Sequence, residues 1–393
     1  QLEAAAAWRE IGRRTGDPIA LRRAATAAER AAGGFKAERR MAGWARARCE
    51  QAAVAMLGAA LFVEEGLTAA ADIAYAEAAA IGGTGLHPPL AELGRLEVEA
   101  RIAAQSADRA AVLALAARFD APIRGLELAG RRRAASRLAA AEARADRARF
   151  LTACGVRLKD PMLLRMALDG LAQSLSRLDA AYEPVAWARS ATLRAAARTA
   201  LADLDGEIGE VAEAINDLLK VIEHVSRDHS PLDWARAQAT LGGALQLLAE
   251  AGGGREDSAF DQAVGCLDRA LTVFNLHPAL KERAAAAHDR AGALVRRAEL
   301  AGDLDALAEA EAAMRAELAA SNATRDPVGW AVRQLNFARL YEARVSLTGR
   351  DRGERAAAAL ALNTALDVFG EHGLRTLADA AARSLERLKL VHG

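Results

Sequence analysis

The sequence predicts an all-α solenoid of about eight antiparallel helix pairs, closed by a C-terminal capping helix. Three observations carry this. Hydrophobic residues fill 52% of the 393 positions but aromatics only 4%, so the apolar bulk is Ala, Leu and Val. Ala is the strongest helix former and loses no side-chain entropy on ordering, and no alternating β-branched runs mark strands. A Pro-x-x-Trp-Ala opening recurs at Pro184, Pro231 and Pro327, with its indoles at Trp187, Trp234 and Trp330. Between these openings, apolar residues return at three- and four-residue intervals, the spacing of a helix face.

The units can be followed in chain order. Asp17-Pro18-Ile19-Ala20-Leu21-Arg22 reappears 143 residues later as Asp160-Pro161-Met162-Leu163-Leu164-Arg165, and Gly12 maps onto Gly155. Gly43-Trp44-Ala45-Arg46 precedes the Trp187 copy by the same 143 residues, about three units. The first half therefore carries the later unit in degenerate form. The apolar run 52–63 is too short to cross a bilayer and is closed by Glu64 and Glu65. Its segment 56–63 is expected to pack internally or to form a surface for self-association, which leaves a homo-oligomer open. Arg131, Arg132, Arg133 and Arg137 read as a solvated helix face, with a patch for an acidic partner as the alternative. Lysine occurs only at 36, 159, 220, 281 and 389, a bias typical of a GC-rich genome, so arginine clusters carry little weight.

Trp187 and Trp234 lie 47 residues apart, and Trp234 and Trp330 lie 96 apart, or two units. The intervening copy is Pro278-Ala279-Leu280 with Arg283 in place of Trp, and its Gly292-Ala293-Leu294 parallels Gly243-Ala244-Leu245. Each unit reads as two helices. Pro sits in the first turn, where its missing N–H costs nothing, and turns such as Gly252-Gly253-Gly254 or Gly302-Asp303 follow. The second helices carry apolar stripes, Val211, Ile215, Leu218, Leu219 and Ile222 in one and Ala263, Leu267, Ala270, Leu271 and Phe274 in another. A single pair cannot bury such a stripe, but stacked neighbours can. A last helix over 376–390, with Arg383, Glu386, Arg387 and Lys389 on its polar side, is expected to cap the array. The expected organisation is one continuous solenoid: degenerate repeats over 1–183, better-matched repeats over 184–375 and the cap over 376–393. Trp44, Trp187, Trp234 and Trp330 are expected to pack between successive pairs; Trp8 lacks the Trp-Ala context and is expected to be exposed.

These units resemble the tetratricopeptide repeat (TPR). More closely, they resemble a bacterial subfamily whose units run Pro-Leu-Asp-Trp-Ala, then Gln, Leu-Gly and Ala-Leu. The best copy is Pro231, Leu232, Asp233, Trp234, Ala235, Gln238, Leu241, Gly242, Ala244 and Leu245, followed by Ala263, Leu267 and Ala270 in the second helix. The copy at Trp330 keeps Gln334 but has Phe337-Ala338 in place of Leu-Gly, and the copy at Trp187 lacks the Gln. The unit also exceeds the family's usual length of about 34 residues. The resemblance implies a right-handed superhelix whose first helices line a concave groove. Its groove positions fall on Arg236, Ala239, Gly243 and Gln246, then on Ala285, His288, Gly292 and Val295, then on Val332, Leu335, Arg339 and Glu342. Arg189 is added from the Trp187 copy. The candidate partner-binding residues are therefore Arg189, Arg236, Gln246, His288, Arg339 and Glu342.

Chemistry is sparse by comparison. The 52 basic and 52 acidic residues cancel, which argues against a general nucleic-acid binder. The three cysteines Cys49, Cys154 and Cys266 are far apart and odd in number, which argues against a disulfide framework. His224 and His229, five residues apart, point about 140° away from one another on a helix and make poor co-ligands. The triple glycine at 252–254 lacks the Lys-Ser/Thr sequel of a phosphate loop. No catalytic residue, metal or cofactor is therefore expected. The expected function is a non-catalytic scaffold or adaptor holding a peptide or partner protein in the groove. The alternatives are a ligand- or peptide-sensing regulatory array, or the non-catalytic arm of a larger signalling protein. A cytoplasmic location is expected, or a periplasmic or membrane-tethered one should a signal or anchor precede Gln1.

Overall fold

The computed structural model describes residues 1–62, 64–104, 108–130, 134–252, 257–277, 281–319, 321–324, 326–372 and 375–390. Among the described residues there are eighteen helices and no strand. They follow one another as antiparallel pairs, each helix packing on the next in sequence. The pairs are α1 (Leu2–Thr15) with α2 (Pro18–Ala37), α3 (Met41–Phe62) with α4 (Glu65–Ala79), and α5 (His87–Ala103) with the broken partner α6 (Arg109–Arg118) and α7 (Asp120–Gly130). Next come α8 (Ala134–Leu158) with α9 (Pro161–Leu175), and α10 (Pro184–Asp205) with α11 (Ile208–His224). The last are α12 (Pro231–Ala251) with α13 (Asp257–Phe274), α14 (Lys281–Ala301) with α15 (Leu304–Ala319), and α16 (Pro327–Thr348) with α17 (Glu354–Glu371); α18 (Arg375–Leu390) closes the array. From α3 onward, first helices start every 46–50 residues. The chain is thus a helical-repeat solenoid of eight units and a final helix, the architecture the sequence predicts. The third unit differs in having two short helices where one was expected. Pro122 has no N–H to continue the ladder, so the helix breaks around the buried Phe119.

The repeated residues do repeated work. Pro18 and Pro161, 143 residues apart, both open second helices behind an Asp cap: Asp17 accepts from the Ile19 N–H at 2.8 Å and Asp160 from the Met162 N–H at 2.9 Å. Gly12 and Gly155 let these pairs close, since a Cβ there would sit 2.9 Å and 2.8 Å from Leu21 and Leu164 Cγ. Trp44, Trp187, Trp234 and Trp330 each occupy the fourth position of a first helix, half-buried against the core. Most of segment 56–63 packs internally: Met56, Ala59 and Leu61 are buried, while Phe62 is exposed and Val63 lies outside the described residues.

The solenoid also curls onto itself. α1 packs against α12, five units away, and α18 packs against α8 at the same separation. One apolar cluster joins Leu21 of α2 and Leu61 of α3 to Leu232, Leu267 and Phe274, with Trp8 packed against it. Trp8 is therefore half-buried rather than exposed, and Arg23 stacks on its ring at 4.7 Å. The end of α1 fits because Gly16 takes φ 71°, and its missing Cβ leaves room for the His277 ring.

Candidate functional site

The first helices face the axis of the coil, and two environments result. Around α1 the axis is filled with paired charges. Arg9 Nε donates to Glu50 of α3 at 2.5 Å, and Arg13 Nη1 donates to Glu142 of α8 at 2.9 Å. Arg189 of α10 donates through Nε and Nη2 to both oxygens of Asp233 on α12, at 2.8 and 2.9 Å, and through Nη1 to Glu10 at 3.2 Å. Only 2% of the Asp233 side chain and 11% of that of Arg189 is exposed, so this pair is sealed inside. Burial would raise the Glu10 carboxyl, but Arg189 and Arg13 hold it down to about 2. Glu97 of α5, buried near Asp146, is pushed up to about 7.

Farther along, the axis opens into a cavity of about 530 Å³ walled by α10, α12 and α14. This lies within the roughly 300–1,000 Å³ typical of ligand sites. It exists because small residues turn toward it: Ala196 and Ala200 from α10, Ala239 and Gly243 from α12, Ala285 from α14. On α12 the lining residues Arg236, Ala239, Gly243, Gln246 and Glu250 form one stripe at three- and four-residue spacing. Leu247 and Phe274 add apolar surface.

Polar groups ring these small residues. Arg236 donates through Nε and Nη2 to Glu282 Oε1 at 3.1 and 2.9 Å and lies 3.8 Å from Asp233. Gln246 Nε2 donates to Glu250 Oε1 at 3.1 Å, and Arg339 of α16 reaches the same oxygen at 3.6 Å. Asp289 of α14 lines the cavity and has no hydrogen-bond or ion-pair partner among the described residues; burial alone pushes its carboxyl up to about 6. The Thr199 hydroxyl oxygen, from a cavity-lining residue of α10, is also buried without a partner among the described residues.

The six sequence-nominated residues divide accordingly. Arg236 and Gln246 line the cavity and Arg339 meets Glu250 there. Arg189 lies in the sealed network. His288 turns to Asn336 of α16, and burial, with Arg339 and Arg333 nearby, lowers its pKa to about 4. Glu342 faces Arg387 of α18 at 3.5 Å. Sequence reasoning missed Asp289, Glu282, Glu250 and Asp203. The α12 positions Arg236, Ala239 and Gly243 recur on α14 as Glu282, Ala285 and Asp289, an offset of 46 residues. The Gly-Ala-Leu match that anchored α14 from sequence is three residues out of this register.

Other nominated features are placed elsewhere. His224 packs on Trp187 with ring centroids 4.9 Å apart, and His229 accepts from Arg14 of α1 at 3.2 Å. The three cysteines are buried and free. Arg131, Arg132 and Arg133, Gly253 and Gly254, and the opening Pro278-Ala279-Leu280 lie outside the described residues; Arg137 pairs with Glu183 at 2.7 Å. Among the described residues no group of three His, Cys, Asp or Glu side chains could hold a metal ion, and no helix is long and apolar enough to cross a membrane.

No protein-family model and no curated protein matches the sequence. Solved structures do match the fold. A Rap protein complexed with competence and sporulation factor aligns over 98% of this chain and 96% of its own, at TM-score 0.54 and 12% identity. A circular tandem repeat protein with novel repeat topology aligns over 98% of this chain and 93% of its own, at TM-score 0.32 and 17% identity. The Rap likeness shows that the whole chain, from first unit to last, folds as a helical-repeat solenoid.

Proposed function

We propose that the chain is a non-catalytic interaction scaffold that binds an extended peptide, or a peptide-like segment of a partner protein, in the α10–α12–α14 cavity. The observation that carries this reading is the single α12 stripe of Arg236, Ala239, Gly243 and Gln246, the four positions the TPR resemblance assigns to a groove, all lining one cavity. Small residues at its centre admit a main chain, and polar residues around it offer hydrogen bonds to it. The Rap protein that shares the fold was crystallised in complex with competence and sporulation factor, so this fold can carry a bound factor.

The test fills the cavity. Gly243 lines the cavity and has no atom within 4 Å of where a Cβ would stand, so the side chain of Gly243→Leu starts into the cavity rather than into a neighbouring helix. Labelled random pentapeptide pools should bind the wild-type chain and lose at least tenfold in affinity for the variant, read by fluorescence polarisation. Equal binding to both, or no binding to the wild type, would refute the reading.

A regulatory array is a second reading, favoured by one observation. Ion pairs run without a gap from Glu10 on α1 through Arg189, Asp233 and Arg236 to Glu282 on the cavity wall. A ligand that competes for Arg236 or Glu282 would then shift the seating of α1 on α12 and so the curvature of the solenoid. A ligand-dependent change in hydrogen exchange across α1 distinguishes this reading from simple docking.

A further inference from the structure

We propose that the cavity is specific for a cationic side chain, the ammonium of a lysine or the guanidinium of an arginine on the bound peptide, with Asp289 as its counter-ion. This rests on the peptide reading above and adds the chemistry of the residue that enters deepest.

The cavity is charged out of balance. Four carboxylates line it, Asp203, Glu250, Glu282 and Asp289, against Arg236 in the lining and Arg339 beside Glu250. Arg236 is already committed to Glu282 through two hydrogen bonds, and Glu250 is held by Gln246 and Arg339. Asp289 has neither a cation nor a donor among the described residues, and it stands half-buried in the wall. A ligand that covers this carboxylate without pairing it leaves it buried and unsatisfied at a cost, and one that brings a cation avoids that cost. Partial burial raises the pKa of Asp289 to about 6. It still leaves the group mostly ionised near neutral pH, ready to pair. The rest of the cavity suits the stem of the same side chain. Ala239, Ala285, Leu247 and Phe274 give an apolar wall for methylenes. An acidic side chain would meet the same carboxylates with repulsion, and a purely apolar one would leave Asp289 unpaired.

The experiment uses the full chain and four pentapeptide pools, acetylated and amidated so that neither terminus is charged. One position is fixed as Lys, Arg, norleucine or Glu. Norleucine matches the lysine stem without the charge. The wild type should bind the Lys and Arg pools at least tenfold more tightly than the norleucine pool and should reject the Glu pool. In Asp289→Asn, which keeps the shape, the Lys and Arg advantage over norleucine should fall below threefold. Equal binding of Lys and norleucine pools by the wild type, a comparison that needs no variant, would overturn the inference and leave the peptide reading standing. So would a Lys advantage that survives in Asp289→Asn. If no pool binds, the peptide reading itself fails. Cadaverine serves as a free amine with no peptide backbone. If it competes as well as the Lys pool, the site holds small amines and the peptide side-chain assignment is overturned.

Discussion

Single residues in this protein act mainly through charge held out of water. The Arg189–Asp233 pair is the clearest case, because Asp233 is almost wholly enclosed and both its oxygens accept from one guanidinium. Arg189→Ala strands that carboxylate, with Arg236 at 3.8 Å as its remaining neighbour. We expect a loss of about 3–5 kcal/mol in urea unfolding, far more than an exposed pair would show. Asp289 works in the opposite sense. Its folded pKa, about 6, lies above the ordinary 3.8, so the stability that comes from binding its proton is complete below about pH 4 and lost as pH rises through 6. Asp289→Asn should therefore raise stability at pH 7–8 by about 1–3 kcal/mol, and the gain should vanish near pH 4. Denaturation of both proteins across that range checks the sign. A functional group kept at the expense of stability would give this result.

At the level of the helix, adjacent glycines of α12 separate packing from propensity. A Cβ at Gly242 would lie 2.7 Å from Leu267 Cγ and 3.1 Å from the Ala263 carbonyl oxygen, so α12 and α13 would have to part. Gly242→Ala should cost about 1–3 kcal/mol. Gly243→Ala meets nothing within 4 Å and should gain about 0.5–1 kcal/mol from helix propensity alone. Paired thermal melts test both, and a common sign for the two would contradict the packing described. The Leu-Gly pair and the small residues of α13 carried this contact in the sequence. The break between α6 and α7 left a weaker trace, since Pro122 stands within a run that otherwise reads as helix.

The molecule as a whole is a coil whose turns touch. α1 on α12 and α18 on α8 tie units five apart, and beside the first of these contacts Arg9, Glu10 and Arg13 pair with three other helices, α3, α10 and α8. Glu10→Arg would set a cation against Arg13 and Arg189. We expect α1 to leave its seat, with a larger radius of gyration by small-angle scattering and faster proteolysis near residue 16, while helical content changes little. An unchanged scattering profile would mean that the apolar cluster around Trp8, rather than the charges, holds the turns together.

The sequence by itself determined the repeating unit, its near-fifty-residue length, the placement of the tryptophans and the α12 stripe, because each depends on neighbours within one helix pair or the next. Tertiary structure alone decided which first helices converge on the axis, that Arg189 is sealed while Arg236 opens onto a cavity, and that Asp289 stands there without a partner among the described residues. The small rotation between successive pairs is set by packing and adds up over five units. A shift of three residues in one copy's register, as in α14, therefore changes which side chain reaches the cavity without disturbing the periodicity that reveals the fold.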